Sequence, residues 1–555
     1  QGSGNPLYRI DGVVDGPLGK DWFFNAGGHY RHDEGARDVD FTFGKGGQFR
    51  FNLIKKTKGG YFKLYGKLLD DHTNRWNGVA ATDWNHPKAA FGQDLNTTAL
   101  LLPAFKSYAP DGRKLAEGST NKFDPSKGLH AQDKALGLAT LQDLGNDWSL
   151  RFQFKYSHKN ADWQTSISNA FVSLDNPLAY FISGAEFPIG QVVFRDARAG
   201  TEIARVGNSG ILSGQPANYI GGGTMPYDAL MGAGAWFKQM ETDEVVNQLM
   251  VRKKVKNHDL TVGLASGHVN TSLFTQGSFG YATYEPNPRM LQVSIENPGQ
   301  PVIALTDVNG LSNYGGLFFD DSQAKVFQLG IFADDRWELQ DRLHLDIGLR
   351  YETINFDGKK ARSAPLEQAG GLDGDPTTAY DNGLLVPTGE EDAFNDSYGY
   401  LSYSAGLNYR LQKDAALFVR FSSGNKAPEL NYYFNNFSNV PINQKGEVQK
   451  IRQAEVGLKW DQGDFSFTTT AFWSQLKNIG VASFEFDADN GSVFYTPVQF
   501  NDSRTIGLEW ESAYSPISLL TFRFNGTLQD AVATNWTVYD AGGSVDPSDD
   551  HTADF

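Results

Sequence analysis

The residues best suited to chemistry in this chain are basic ones set at alternate positions. Arg50, Lys63, Arg151, Lys155, Arg350, Arg420 and Arg523 each stand between two apolar neighbours, and Asp346, Glu352 and Glu455 keep the same phase in their own runs. Charges placed this way can do one of two things. They can pair with lumenal carboxylates and with a folded domain that fills the space they face, because a charged group in a filled interior needs a partner. Alternatively, they can form an electrostatic path for an anionic ligand. A second set mixes polar and aromatic residues just past apolar runs: Arg75-Trp76, Trp84, Trp163 and Asn431-Tyr432-Tyr433-Phe434. Flat rings with nearby Arg and Asn suit sugars or metal chelates, although the same residues also serve as an interfacial girdle or as loop packing. The segment Asp487-Ala488-Asp489-Asn490-Gly491-Ser492 offers closely spaced oxygens. It hints at a structural calcium in a loop but lacks the closing Glu of a calcium loop, and Asn-Gly favours a hairpin turn. No other cofactor and no metal centre is expected. The ten histidines are scattered, there is no cysteine, and no nucleophile elbow or phosphate loop is present, so no catalytic residue and no enzyme are expected.

These residues are positioned by strands. In Ala324 to Glu352, the return run sets Leu343, Leu345, Ile347, Leu349 and Tyr351 on one face, and His344, Asp346, Gly348, Arg350 and Glu352 on the other. Strand side chains alternate with period two, so this is a hairpin with one oily and one wet face. The unit recurs around Phe49–Leu53, Phe62–Leu68, Trp148–Tyr156, Leu417–Phe421, Phe465–Trp473 and Leu520–Leu528. About sixteen such strands can be read, each near the ~9–11 residues that cross a bilayer when tilted. Their connections alternate. Short ones fall near 15–19, 58–60, 144–147, 256–258, 340–341, 412–414, 461–463 and 515–516, and long ones near 31–47, 72–130, 160–241, 275–322, 357–397, 425–447 and 477–502. A large soluble β-protein has no reason to gather its long loops at one end, whereas an outer-membrane barrel does.

Composition agrees with this and excludes other classes. The net charge of −16 speaks against nucleic-acid binding. No run of 18 apolar residues exists, so no transmembrane helix is expected. The mean hydropathy of −0.43 suits a barrel as well as a soluble chain, because only half of each strand faces lipid. The first strand, near 6–14, and the last, near 518–531, place both chain ends on the long-loop side. Open strand edges cannot face lipid, which leads us to expect an interior piece of a larger barrel.

In order and spacing, several segments resemble the TonB-dependent outer-membrane receptors. They are Gly16-Pro17-Leu18-Gly19 with Tyr30-Arg31; Phe332-Ala333-Asp334-Asp335 through Gly348-Leu349-Arg350-Tyr351-Glu352; Lys426-Ala427-Pro428-Glu429-Leu430 with Ala454-Glu455-Val456-Gly457-Leu458-Lys459; and Ile506-Gly507-Leu508-Glu509-Trp510-Glu511. The resemblance implies an all-β transmembrane antiparallel barrel of ~22 strands, with about 16 present over residues 1–555 and the N-terminal plug and last strands outside it. It also implies a TonB complex as partner through a missing N-terminal region, the outer membrane of a Gram-negative bacterium as location, and import of a scarce solute such as a siderophore or oligosaccharide. The long loops leave room for a surface lipoprotein partner. A passive porin-like channel and a structural barrel that docks partner proteins are the alternatives. Haem is disfavoured, since the segment from Ala427 to Glu447 contains no His.

Overall fold

The computed structural model describes residues 5–537 apart from 84, 91–92, 95, 104–105, 165, 181–188, 313–318, 383, 435–444, 482–483, 488–491 and 496–497. Sixteen long strands follow one another: β1 Leu7–Gly19, β2 Trp22–Asp33, β3 Gly44–Thr57, β4 Gly60–Thr73, β5 Leu129–Gly145, β6 Trp148–Trp163, β7 Ala229–Val255 and β8 His258–Thr283, then β9 Phe319–Gln340, β10 Leu343–Pro365, β11 Leu385–Gln412, β12 Ala415–Lys426, β13 Gln449–Gln462, β14 Phe465–Val481, β15 Gln499–Ile517 and β16 Leu520–Asn535. Each pairs antiparallel with the next, so the sheet is one uninterrupted meander. No pairing joins β1 to β16 among the described residues. No helix among them is long and apolar enough to cross a membrane, which leaves crossing by strands open.

All eight tight turns are two residues long, at 20–21, 58–59, 146–147, 256–257, 341–342, 413–414, 463–464 and 518–519, and all lie at the same rim. Asn146 and Asp147 both take positive φ, 50° and 62°, the conformation that matches a two-residue turn to strand twist. Two expected boundaries move, and one of them is 515–516, which lies within β15, with the turn at 518–519. The segment 15–19 is strand, with Asp15 opposite Asn25 and Pro17 opposite Phe23, and the turn is Lys20-Asp21. Pro17 sits at a register shift, where a missing N–H is tolerated. Strand lengths also exceed expectation: β7, β8 and β11 run for 27, 26 and 28 residues. Apolar alternation marks only the stretch that meets lipid, whereas the hydrogen-bond ladder continues wherever two chains stay paired.

Register puts the apolar alternates on one face. Ile331 stands opposite Tyr351, and Ala333 opposite Leu349. Leu349, Tyr351, Phe522 and Phe524 are 51%, 51%, 59% and 65% exposed. An uncovered apolar face this continuous marks an interaction surface. Its height, nine residues from Leu343 to Tyr351 on β10, is that of a bilayer crossing.

The long connections meet at the opposite rim and pack on each other. Between β6 and β7, short strands Gln191–Asp196, Glu202–Gly207 and Asn218–Gly222 form a small sheet, which Met290–Ile295 from the β8–β9 connection joins. Val192, Phe194, Val206, Leu291 and Val293 are buried with Leu230 and Tyr281 from the upper ends of β7 and β8. A second cluster brings in Leu100, Leu102 and Phe123 from the β4–β5 connection. Ion pairs tie the small sheet together. Arg195 reaches Glu296 at 2.5 Å, Arg205 reaches Glu202 and Glu296 at 2.9 Å each, and the Ser294 hydroxyl donates to Glu296 at 3.0 Å.

Two outcomes are expected. Leu349→Arg puts a charge on the lipid face and should cost about 2–4 kcal/mol in urea unfolding from liposomes, whereas Ser404→Arg, on the opposite face, should leave stability nearly unchanged. The second concerns Glu296, whose carboxyl the Arg195 guanidinium pulls down to about 2, below an unfolded glutamate. Its stabilising contribution is therefore complete above the ordinary carboxylate range and lost as the pH falls toward that value. At near-neutral pH, Glu296→Gln should raise hydrogen-exchange rates across residues 191–207 and 290–295 about fivefold, as expected for a partly exposed network worth about 1 kcal/mol. The unsubstituted protein should approach those rates only on strong acidification.

Candidate functional site

A cavity of about 530 Å³ lies where four of the long connections converge. The β2–β3 connection contributes Asp38, Val39, Asp40 and Phe41, the β4–β5 connection Ala99, Leu101, Leu102 and Pro103, and the small sheet Asp196, Ala197 and Arg198. Pro286 to Met290 and Asn309 complete it from the β8–β9 connection. The floor is apolar, made by Val39, Phe41, Ala99, Leu101, Leu102 and Met290. The rim carries two guanidiniums and three carboxylates.

Local structure fixes those rim groups. Asp196 accepts the backbone N–H of Arg198 and of Ala199 at 2.9 Å each, closing the turn that presents Arg198. The Ala197 N–H donates to the Met290 carbonyl at 2.8 Å, which joins two sides of the cavity. Arg289 is held by Glu285 at 2.7 Å, with Asp196 at 3.6 Å, and its own N–H donates to the Thr283 hydroxyl at 2.8 Å. Arg198 stands 3.6 Å from Asp40 with its side chain 75% exposed. The result is an apolar floor with oriented cations over it, the make-up of a small-molecule site.

Of the polar-aromatic residues singled out in the sequence, Trp76 packs against the floor of this cavity. It stacks on Phe43 at 4.0 Å, lies under Arg37 at 5.7 Å, and packs with the Ala99 and Leu101 that form the floor. Gly35 touches the same stack from a left-handed φ of 86°, where an added Cβ would come within 3.0 Å of both rings. Arg75 and Trp163 are brought together, guanidinium over indole at 5.9 Å. Trp84 lies outside the described residues, as do 488–491 of the calcium-like segment, whose flanks Asp487 and Ser492 pair as a hairpin.

Asn431–Phe434 form a single helical turn, α1, in a different cluster. Tyr433 and Phe434 are buried, at 1% and 4% exposure, rather than presented to a ligand. The Tyr433 ring stacks on Phe394 at 4.4 Å, and its hydroxyl lies 2.7 Å from Asp396 and 2.8 Å from the Tyr398 hydroxyl. Lys360 donates to the Phe434 carbonyl at 3.1 Å. Tyr432 is half-buried, and only Asn431 is exposed.

The charged alternates share the sheet's polar face and divide into two groups. Some pair within the wall. Glu352 receives Arg350 at 2.7 Å, Gln328 at 2.7 Å and Tyr400 at 2.6 Å. Lys155, at 3.2 Å, shares Glu244 with Lys159, and Asp346 lies 3.7 Å from Arg336. Lys63 lies over the Tyr65 ring at 5.5 Å, and Arg50 donates to Gln48 at 3.1 Å. Arg151, Arg420, Glu455 and Arg523 make no ion pair among the described residues.

The cavity residues escaped sequence reasoning, since they come from four connections far apart in the chain and follow no period. The one local signal is Pro286-Asn287-Pro288, a segment stiffened at both ends.

Comparison with known proteins agrees with the fold. The family model for the TonB dependent receptor-like β-barrel matches residues 82–554. The Rhizobactin receptor of Rhizobium meliloti (strain 1021) is 28% identical over 156 residues, which are 26% of this chain and 20% of that protein. The ferric yersiniabactin uptake receptor of Yersinia pestis superposes with a TM-score of 0.54 at 10% identity, over 95% of this chain and 60% of that one. The ferric-catecholate import receptor of E. coli K12, in its closed form, gives 0.52 at 13% identity, over 97% and 65%. The chain thus spans about a fifth of that curated relative and under two thirds of those structures. With a family model covering most of its length and a strand meander of the matching kind, the chain belongs to the TonB-dependent receptors, a family of transporters rather than enzymes, as part of their β-barrel.

Proposed function

We propose that this chain is the barrel portion of an outer-membrane receptor that imports a ferric siderophore, with TonB as the energising partner. The observation that carries the proposal is the cavity at the loop rim, apolar below and ringed by Arg198, Arg289 and three carboxylates. Its 530 Å³ suits a compact chelate of a few hundred daltons better than an extended oligosaccharide. The guanidiniums suit the carboxylate or catecholate oxygens of an anionic chelate, and the carboxylates suit its amines and hydroxyls. Relatives named as receptors for rhizobactin and for ferric yersiniabactin support this class of ligand. On this reading the polar face lines the lumen, where Arg151, Arg420 and Arg523 extend the positive field inward.

The test is uptake of iron-55 loaded on candidate siderophores by cells with and without the gene, before and after collapse of the proton gradient. The proposal expects uptake that needs both the gene and the gradient, whereas a passive channel would keep taking up solute after collapse. Arg289→Ala is expected to weaken ligand binding to the full-length protein by about tenfold or more, the loss of one charge-assisted hydrogen bond. Trp76→Ala should weaken binding as well, by letting the floor collapse, while Arg523→Ala should slow uptake without changing surface affinity.

A further inference from the structure

The outward face gains charge at the loop-side edge of the apolar band. On β6, β7 and β9 the last apolar or aromatic outward residues are Tyr156, Val245 and Phe327, and the next outward positions are His158, Asp243 and Lys325. Register places these charges in one row. His158 stands opposite Asp243, Asp243 opposite Asn270, and Asn270 opposite Lys325. A groove of about 490 Å³ runs along that row, lined among others by Glu241, Asp243, Asn270 and Lys325.

At one end of the groove a set of metal-ligand atoms has gathered. One atom each from His158, Glu241 and Asp243 lies within 4.8 Å of the others. The His158 ring sits between the carboxylates, 3.1 Å from Asp243 and 3.9 Å from Glu241, and the Tyr156 hydroxyl donates to Asp243 at 2.7 Å. Two carboxylates and one imidazole suit a divalent cation such as Mn²⁺. About 10 Å away, two strand spacings along the row, Lys325 makes no ion pair among the described residues.

We infer that this row is a docking site for a lipid headgroup that carries a phosphate monoester, bridged to Asp243, Glu241 and His158 by a divalent cation and met directly by Lys325. The position argues for a lipid, since the row is the level at which carboxylates and a lysine first face outward at the edge of the apolar band, where headgroups lie. The charge pattern argues for the cation. Carboxylates repel phosphate unless a cation stands between them, while a lysine takes phosphate directly. The site rests on the reading that the apolar band faces lipid. It needs no transport activity, so its failure would leave the import proposal standing.

The purified full chain in detergent can be offered Mn²⁺ alone, Mn²⁺ with inorganic phosphate, and Mn²⁺ with short-chain phosphatidic acid or phosphatidylcholine. Metal binding is read by electron paramagnetic resonance and lipid retention by native mass spectrometry. The proposal expects Mn²⁺ to raise phosphatidic acid retention about tenfold over phosphatidylcholine. Asp243→Asn with Glu241→Gln should abolish that rise, and Lys325→Gln should cut lipid retention several-fold while leaving the Mn²⁺ signal unchanged. Heat-modifiable mobility on gels checks that each variant remains folded. Equal retention of the two lipids, equal Mn²⁺ binding by the double variant, or inorganic phosphate matching phosphatidic acid would each overturn the site, the last by showing a free-phosphate or adventitious ion only.

Discussion

The structure depends on one constraint: in hydrocarbon, every backbone N–H and C=O must find its partner within the protein. A sixteen-strand antiparallel meander satisfies this for β2 to β15, because each of those strands pairs with both of its sequence neighbours, while β1 and β16 each pair on one side among the described residues. The same constraint explains the turns. Two residues are the shortest link between antiparallel neighbours, and all eight tight turns are of that length. It also explains why variation is confined to the other rim. Above the band, water and neighbouring loops supply partners, so connections there can be long and can carry cores of their own, such as the one around Phe194 and Tyr281.

What the sequence disclosed follows from that division. Where lipid faces one side and polar groups the other, a period of two is enforced, and the hairpin from Ala324 to Glu352 could be read almost residue by residue. Its register, with Ile331 opposite Tyr351, puts on one face the residues the alternation had placed there. Where neither lipid nor solvent imposes a period, the signal vanishes. β7 continues for 27 residues although its upper part, Ala229–Ala235, shows no alternation, because both sides there are buried. The cavity at the loop rim was illegible for the same reason. Its walls are set by tertiary packing among segments as distant as Asp38 and Asn309.

The aromatic residues show the limit of composition as a guide to sites. Trp76 and Tyr433 looked alike in the sequence, each a ring beside polar neighbours past a strand end. Trp76 packs under an open cavity and Tyr433 inside a closed cluster with Phe356 and Phe394. What separates them is which neighbours the fold brings: Arg37 and Phe43 in one case, Asp396 and Tyr398 in the other. Residue type proposes a contact, and only the packing decides whether the ring is available to a ligand.

Electrostatics on the polar face carries the argument one step further. Had every charge there been matched within the wall, the face would be a closed surface with nothing left for a ligand or an inserted domain. It is not closed. Arg350 and Lys155 are satisfied by Glu352 and Glu244, yet Arg420 and Glu455, directly opposite each other on β12 and β13, form no ion pair among the described residues, and Arg151 and Arg523 stand likewise. Unpaired charge is inexpensive while water reaches it and costly once the space is filled. Whatever enters this space must therefore answer those charges or keep them hydrated. An anionic solute does the first, and a wet lumen the second. The polar face is thus suited to a wet or ligand-filled space rather than to the dry core of a soluble β-protein.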